Sequence, residues 1–234
     1  MSQRITRHWY KFGVELEGGW DNKPNNIISD GSVYVCANYV GEIPSKPLCN
    51  LSYFKKWLHA NFPNRYDRSC GYHVHVSFPN WAYTCLCSKK FFDLFLKETI
   101  NYINNNITHS YDKESFKDRL NNHSQWCEQR YNPLAQFYER FKSGERYTAI
   151  NYCYELHKTI EFRIAPMMTE NNCYEWVKFI LKVCNEFLNN ELLHLHKNPD
   201  SQHRNIFFNE NSENPEIKED TITLAIEERK EICV

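Results

Sequence analysis

Residues Cys70-Gly-Tyr-His-Val-His-Val-Ser-Phe78 decide how this chain folds. The run is rich in β-branched and aromatic residues and alternates polar with apolar, the period of a half-buried strand. Side chains two apart share a sheet face. His73, His75 and Ser77 therefore face one way, and Tyr72, Val74, Val76 and Phe78 face the other. Gly71 leaves room for another group to approach the strand closely. Two surface histidines would give the same local pattern, so this strand alone does not define a site.

Two other segments repeat the device. Phe12-Gly-Val-Glu15-Leu-Glu17 places two carboxylates on one strand face. Thr159-Ile-Glu161-Phe-Arg163-Ile places a carboxylate and a guanidinium on one face, with Ile160, Phe162 and Ile164 on the other. Three strands with ionisable groups at i and i+2 are hard to explain as solvated surface. They predict an antiparallel sheet whose curved face gathers Glu15, Glu17, His73, His75, Glu161 and Arg163 around a charged ligand.

Around these strands the chain reads as α+β. The first strand is expected over 10–17, with Gly18-Gly19-Trp20 opening a loop, and a further strand over Val33–Ile43. Asp30-Gly31 supplies a tight turn. Asp30 and Glu42 each also read as a plain turn or edge residue. Helical spacing covers 51–62, 89–105 and, most clearly, 173–195, where Trp176, Phe179, Ile180, Val183 and Phe187 form one stripe. Residues 112–121 read as a polar short helix or loop, and 126–141 as mixed helix and loop. Arg146–Tyr152 reads as a strand whose hairpin partner is 159–164. Arg146 and Asn151 do not share an i, i+2 face, so the pattern cannot aim both inward. One domain is expected over 1–196, with a polar extension over 197–234.

The length of 234 residues suits one domain, and the formal net charge of -1 gives no nucleic-acid footprint. The N-terminal Met-Ser-Gln-Arg-Ile-Thr-Arg-His has no apolar stretch, and no apolar run approaches the ~20 residues of a membrane span. The ten cysteines include no C-x-x-C pair, so they read as reduced thiols of a cytoplasmic protein. There is no P-loop and no G-x-G-x-x-G fingerprint.

Bunched carboxylates raise one another's pKa unless a cation compensates them. Oxygen ligands with an imidazole suit Mg²⁺ or Mn²⁺. A guanidinium beside such a cluster fits a phosphate clamp, since its fork matches phosphate oxygens. Together they point to phosphoryl transfer from a nucleotide. An Arg163–Glu161 pair that merely braces the sheet is the plainer alternative.

In order along the chain, Gly13-Val-Glu15-Leu-Glu17, Asp30-Gly-Ser32, Gly41-Glu42-Ile-Pro-Ser45, Gly71-Tyr-His73-Val-His75-Val and Asn151…Thr159-Ile-Glu161-Phe-Arg163 resemble the motifs of the amidoligase family. These are carboxylate–amine ligases related to glutamine synthetase and glutamate–cysteine ligase. The resemblance implies their fold, a curved antiparallel sheet with helices on its outer face. It implies ATP- and Mg²⁺- (or Mn²⁺-) dependent amide-bond formation between a small-molecule or peptide carboxylate and an amine. It casts Glu15, Glu17, His73 and Glu161 as metal ligands, with Asp30 and Glu42 similar to further acidic ligands. His75 would contact nucleotide phosphate and Arg163 the transferring phosphoryl group. Ser32, Arg146 and Asn151 would lie where related enzymes contact substrate or nucleotide.

Two other classes fit parts of the sequence. His75-Val-Ser77 and His157-Lys-Thr159 match the H-x-[ST] motifs of metal-independent two-histidine phosphoesterases, where histidines serve as acid and base. That leaves Glu15, Glu17, Glu161 and Arg163 without a task. A ligase-derived fold kept as a binding module is the non-enzymatic alternative.

Overall fold

Strands β1 (Lys11–Trp20), β2 (Tyr39–Pro44), β3 (Tyr72–Ser77), β4 (Ile150–Cys153) and β5 (Thr159–Phe162) form one open sheet in the order β2–β1–β3–β5–β4. Every neighbouring pair is antiparallel. Helices α1 (Leu51–Asn61), α2 (Asn80–Leu86), α3 (Lys89–Asn106), α4 (Ser110–Leu120) and α5 (Glu170–Lys197) complete an α+β architecture. The structure, a computed structural model, describes residues 11–121, 127–131, 148–153 and 158–197. The expected polar extension beyond residue 197, and most of the mixed segment 126–141, lie outside the described residues.

The alternation of the strands sets the two sides of the sheet. Phe12, Val14, Leu16, Tyr72, Val74, Val76, Ile160 and Phe162 are all essentially buried. Helices cover this side: Phe12 meets Phe54 of α1 edge-on at 5.4 Å, and Phe162 meets Phe95 of α3 at 4.8 Å. Behind them, Trp176 of α5 packs on Phe95, Phe116 and Phe179. Full burial of each such side chain contributes roughly 1.5–3 kcal/mol. Cys70, Cys85, Cys127, Cys173 and Cys184 are buried free thiols, used as small apolar residues. Among the described residues no helix is long and apolar enough to cross a membrane.

The helices begin where their caps place them. Asn50 accepts hydrogen bonds from the amides of Ser52 and Tyr53 at the start of α1, and Ser88 from that of Phe91 in α3. Asp112 of α4 is fully buried and accepts from the Thr169 amide and hydroxyl and from the Asn172 amide group, joining α4 to the start of α5.

Three elements depart from the sequence expectation. β1 runs through Gly18-Gly19-Trp20 rather than ending at 17, because those residues pair with Gly41, Val40 and Tyr39. The glycines serve close packing here, not a turn. A Cβ on Gly18 would lie 2.6 Å from Pro63, and one on Gly19 would lie 2.5 Å from Ala37. β2 is correspondingly short: Val35 and Ala37, expected in a strand, fold across Gly19 instead of joining the ladder. Helix α2 was not expected at all. Its seven residues are too few to show a helical period. On the far side of the sheet β4 covers only Ile150–Cys153, and the rest of the expected strand, from Arg146, falls outside the described residues.

Because Phe162 is wholly buried between Phe91 and Phe95, Phe162→Ala is expected to destabilise the protein by about 3–5 kcal/mol. Denaturant titration of the variant against wild type measures this directly.

Candidate functional site

The polar side of the sheet is assembled by register. Glu15 stands opposite His73, Glu17 opposite Glu42, and His75 opposite Glu161, which in turn faces Asn151. Side chains that are distant in sequence are thereby brought within contact. His73 Nδ1 lies 3.1 Å from Glu15 Oε2 and 3.6 Å from Glu161 Oε1, while its Nε2 lies 3.5 Å from Glu17 Oε1. His75 Nε2 lies 3.2 Å from Glu15 Oε1 and 3.7 Å from Glu161 Oε1. Arg163 Nη1 donates to Glu161 Oε1, and Asn151 Nδ2 donates to Glu161 Oε2 at 2.8 Å. Both imidazoles thus present a nitrogen to the same pair of carboxylates.

Gly71 has a specific task. Its amide donates to Glu17 Oε2, and a Cβ there would lie 2.6 Å from His73 Nε2 and 3.1 Å from both Glu17 oxygens. Only a residue without a side chain lets the carboxylate and the imidazole settle over it.

Two groups of donors have cation-sized spacing. In each, one atom per residue lies within 4.8 Å of the others: Glu15, His75 and Glu161 form one, and Glu17, Asp30 and Glu42 form the other. The resemblance gives the imidazole place in the first group to His73; the spacing gives it to His75, with His73 lodged between the two groups. The second group is all oxygen, the donor type that Mg²⁺ and Mn²⁺ take. Asp30 is braced by Ser32, whose amide and hydroxyl donate to Asp30 Oδ1 at 2.8 and 2.7 Å. Ser32 thus meets Asp30 through both its amide and its hydroxyl.

The two groups differ in how their charge is met. Burial alone would push Glu15 up, but hydrogen bonds from His73 and His75 outweigh it and hold the carboxyl well below the usual range. Burial likewise opposes ionisation of Glu161, yet Arg163 and both histidines hold it down at about 2. His75 moves the other way: burial disfavours its charge, and the hydrogen bond it donates to Glu15, with the charge of Glu161, more than restores it, so its pKa is raised. Glu42 has no cation within ion-pair reach among the described residues. Burial, then repulsion from Glu15, Asp30 and Glu17, pushes its carboxyl up to about 7. This is the state of a carboxylate cluster that lacks a counter-cation, and it fits a divalent ion at Glu17, Asp30 and Glu42.

A hollow of about 340 Å³ adjoins the first group, with Glu15 and His75 in its wall and Ser45, Ser77, Thr159 and Lys11 beyond them. Its size lies at the low end of small-molecule sites. His75 Nδ1 is 3.4 Å from Thr159 Oγ1. His157, the other histidine of the phosphoesterase pattern, and Arg146 lie outside the described residues. Sequence reasoning missed Thr159 as a partner of His75 and the amide of Gly71 as a partner of Glu17. The i, i+2 spacing of Thr159 and Glu161 carried the first signal; a backbone donor leaves none in the sequence. Comparison of the chain with protein-family models, with curated proteins and with solved structures finds no match.

Two outcomes follow from this geometry. An acid whose folded pKa is raised favours folding below its ordinary value and loses that contribution as pH rises through the folded value. In chelator, wild-type stability relative to Glu42→Gln should therefore fall as pH rises from about 4.5 to about 7, and Glu42→Gln should be the more stable above that window. Screening at this half-buried position limits the difference to about 1 kcal/mol, or about 2–4 °C in Tm. Thermal unfolding in EDTA across pH 4–9 reads it, and equal pH slopes for the two proteins would contradict the electrostatic account. Separately, Gly71→Ala should weaken Mn²⁺ binding by roughly 10-fold or more, because its Cβ displaces Glu17 and His73. Titration of free Mn²⁺ by electron paramagnetic resonance measures that loss.

Proposed function

We propose that this chain is an ATP- and Mg²⁺-dependent carboxylate–amine ligase of the amidoligase type, working through an acyl phosphate. The observation that carries the proposal is the convergence of Glu15, Glu17, His73, His75, Glu161 and Arg163 on one sheet face, with Glu42 and Asp30 beside Glu17. The family's sheet topology would be the one adopted here, and its helical cover the layer formed by α1, α3 and α5.

Two divalent ions held at Glu15/His75/Glu161 and Glu17/Asp30/Glu42 would supply charge neutralisation for the polyphosphate. The rest is done by the chain. The hollow beside His75 would admit the nucleotide, so that its phosphates run from His75 toward Glu17. A substrate carboxylate oxygen attacks the γ-phosphorus, the bond to the β–γ bridging oxygen breaks, and ADP leaves. The amine nitrogen then attacks the acyl carbon, loses a proton and expels inorganic phosphate, leaving the amide.

Arg163 is suited to the transferring phosphoryl group. Glu161 and Asn151 fix its orientation, so the guanidinium need not reorganise as charge develops. His75 presents its Nε2 to Glu15 and Glu161 and would serve the first ion as a neutral imidazole ligand, giving up its proton when the ion binds. His73 spans Glu15, Glu17 and Glu161 and sets the spacing of the two acid groups. Metal-free histidine acid–base catalysis accounts for His75 and Thr159 but gives the five carboxylates nothing to do.

Purified protein should release ADP from ATP in the presence of Mg²⁺, a carboxylate and an amine, and EDTA should abolish this. Glu15→Gln and His73→Ala should each lower the rate by on the order of 100-fold or more while leaving the folded state intact by circular dichroism. A screen of amino acids, peptides and polyamines for ATP-dependent condensation, read by mass spectrometry, identifies the two substrates. Wild-type rates in both variants would overturn the assignment.

A further inference from the structure

Arg119 lies on α4, outside the residues assigned to the site. It is 4% exposed, and among the described residues it has no carboxylate within ion-pair reach. Among the described residues its guanidinium donates only to main-chain carbonyls: Nη2 to Cys70 at 3.0 Å and Ser69 at 3.5 Å, and Nη1 to Arg163 at 3.4 Å. Its Nε has no partner among the described residues. Filling space would not need a charge there, and a buried guanidinium is costly to desolvate. The three carbonyls indicate what it does instead.

Ser69 and Cys70 directly precede Gly71, the residue whose amide holds Glu17. The third carbonyl belongs to Arg163 itself. At this point the β3–β5 ladder is out of step. Regular pairing places Val74 opposite Phe162, yet the next bridge joins Gly71 to Pro166. That is three residues along β3 against four beyond β5, so one extra residue is inserted at Arg163–Ala165. Such a bulge interrupts the ladder and redirects the side chains at it, and bulges are over-represented beside active sites. Arg119 meets the Arg163 carbonyl within this irregular stretch and ties it to the entry of β3.

We propose that Arg119 is a positioning residue that holds this bulge, aiming the Arg163 guanidinium at the phosphoryl position and the Gly71 amide at Glu17. The inference rests on the ligase assignment for what Arg163 is aimed at, but the junction itself is independent of it. A planar fork can join three carbonyls from two segments; an ammonium group cannot reproduce that geometry.

Two variants and two readouts decide it. Arg119→Lys keeps the charge and loses the fork; Arg119→Met keeps the bulk and loses both. Positioning requires that each weaken Mn²⁺ binding, measured by electron paramagnetic resonance, by roughly 10–100-fold, and that each shift the Gly71 amide proton in nuclear magnetic resonance toward the position of an unbonded amide. Phe116→Leu, a core truncation on the same helix, should lower Tm and leave both readouts unchanged. If Arg119 acted only as a counter-charge, Arg119→Met would tighten Mn²⁺ binding and Arg119→Lys would leave it unaltered, and either result overturns the proposal. It is also overturned if folded Arg119→Lys protein keeps the wild-type amide shift, or if neither variant folds, which would make Arg119 part of the scaffold alone. Should wild-type protein bind no Mn²⁺, the ligase assignment fails, and the Gly71 amide shift still decides the role of Arg119.

Discussion

Four carboxylates on one sheet face and a fifth beside it, Asp30, repel one another, and the surrounding structure is arranged to answer that repulsion. Two like charges ~4 Å apart oppose each other by ~4 kcal/mol at an effective dielectric near 20. The β5 side answers with protein groups: Arg163, His73, His75 and Asn151 surround Glu15 and Glu161 and keep both ionised. The β2 side has only His73, whose Nε2 lies 3.5 Å from Glu17 Oε1, among the described residues. Glu17 takes the Gly71 amide and Asp30 takes Ser32, but Glu42 is left to hold a proton near neutrality. One half of the site therefore meets its acids with protein groups, and the other does so far less. The proposed divalent cation at Glu17, Asp30 and Glu42 would supply the charge that the β2 side is short of.

That arrangement depends on long-range pairing. Glu17 and Gly71 are 54 residues apart, Glu15 and His73 are 58 apart, and His75 and Thr159 are 84 apart. None of these contacts forms until β1, β3 and β5 are in register, and the register is enforced from the other side of the sheet. A slip of one residue would turn Val74, Phe162 and Leu16 out of the core and the acids into it. The apolar layer under α3 and α5 thus stabilises the fold and also fixes the distances in the site. The bulge at Arg163 is the exception, since there the ladder no longer dictates direction and a side chain from α4 meets the backbone instead.

Much of this was legible because a strand's period is two. E-x-E, H-x-H and E-x-R each state which residues share a face, and Gly71 announces a close approach. The failures are physical as well. Gly18-Gly19 reads as a loop if glycine is taken only for conformational freedom; here its lack of a side chain admits Pro63 and Ala37. Asn151 reaches Glu161 because β4 pairs with β5, a fact of register that local pattern does not hold. Helix α4 is the clearest case. Its buried residues are Asp112, Ser115, Phe116 and Arg119, spaced as one helical face, but three of the four are polar. A search for apolar periodicity passes over such a helix, because its inward face is held by hydrogen bonds to backbone and caps rather than by apolar burial.

The plainer account of the polar face is that Glu161 and Arg163 brace the sheet. A brace pairs opposite charges and leaves nothing over, and for that pair alone it would suffice. It does not explain why Glu17, Asp30 and Glu42 are brought together when, among the described residues, only Glu17 has a basic side chain, His73, within reach. Nor does it explain why Gly71 is bare so that Glu17 and His73 can crowd the same spot. Replacing those acids with apolar residues would relieve repulsion and remove a buried charge, which is often neutral or stabilising. A fold that instead keeps Glu42 beside Glu15, Asp30 and Glu17, with its carboxyl pushed up to about 7, gives up stability there, and the proposed cation would recover it.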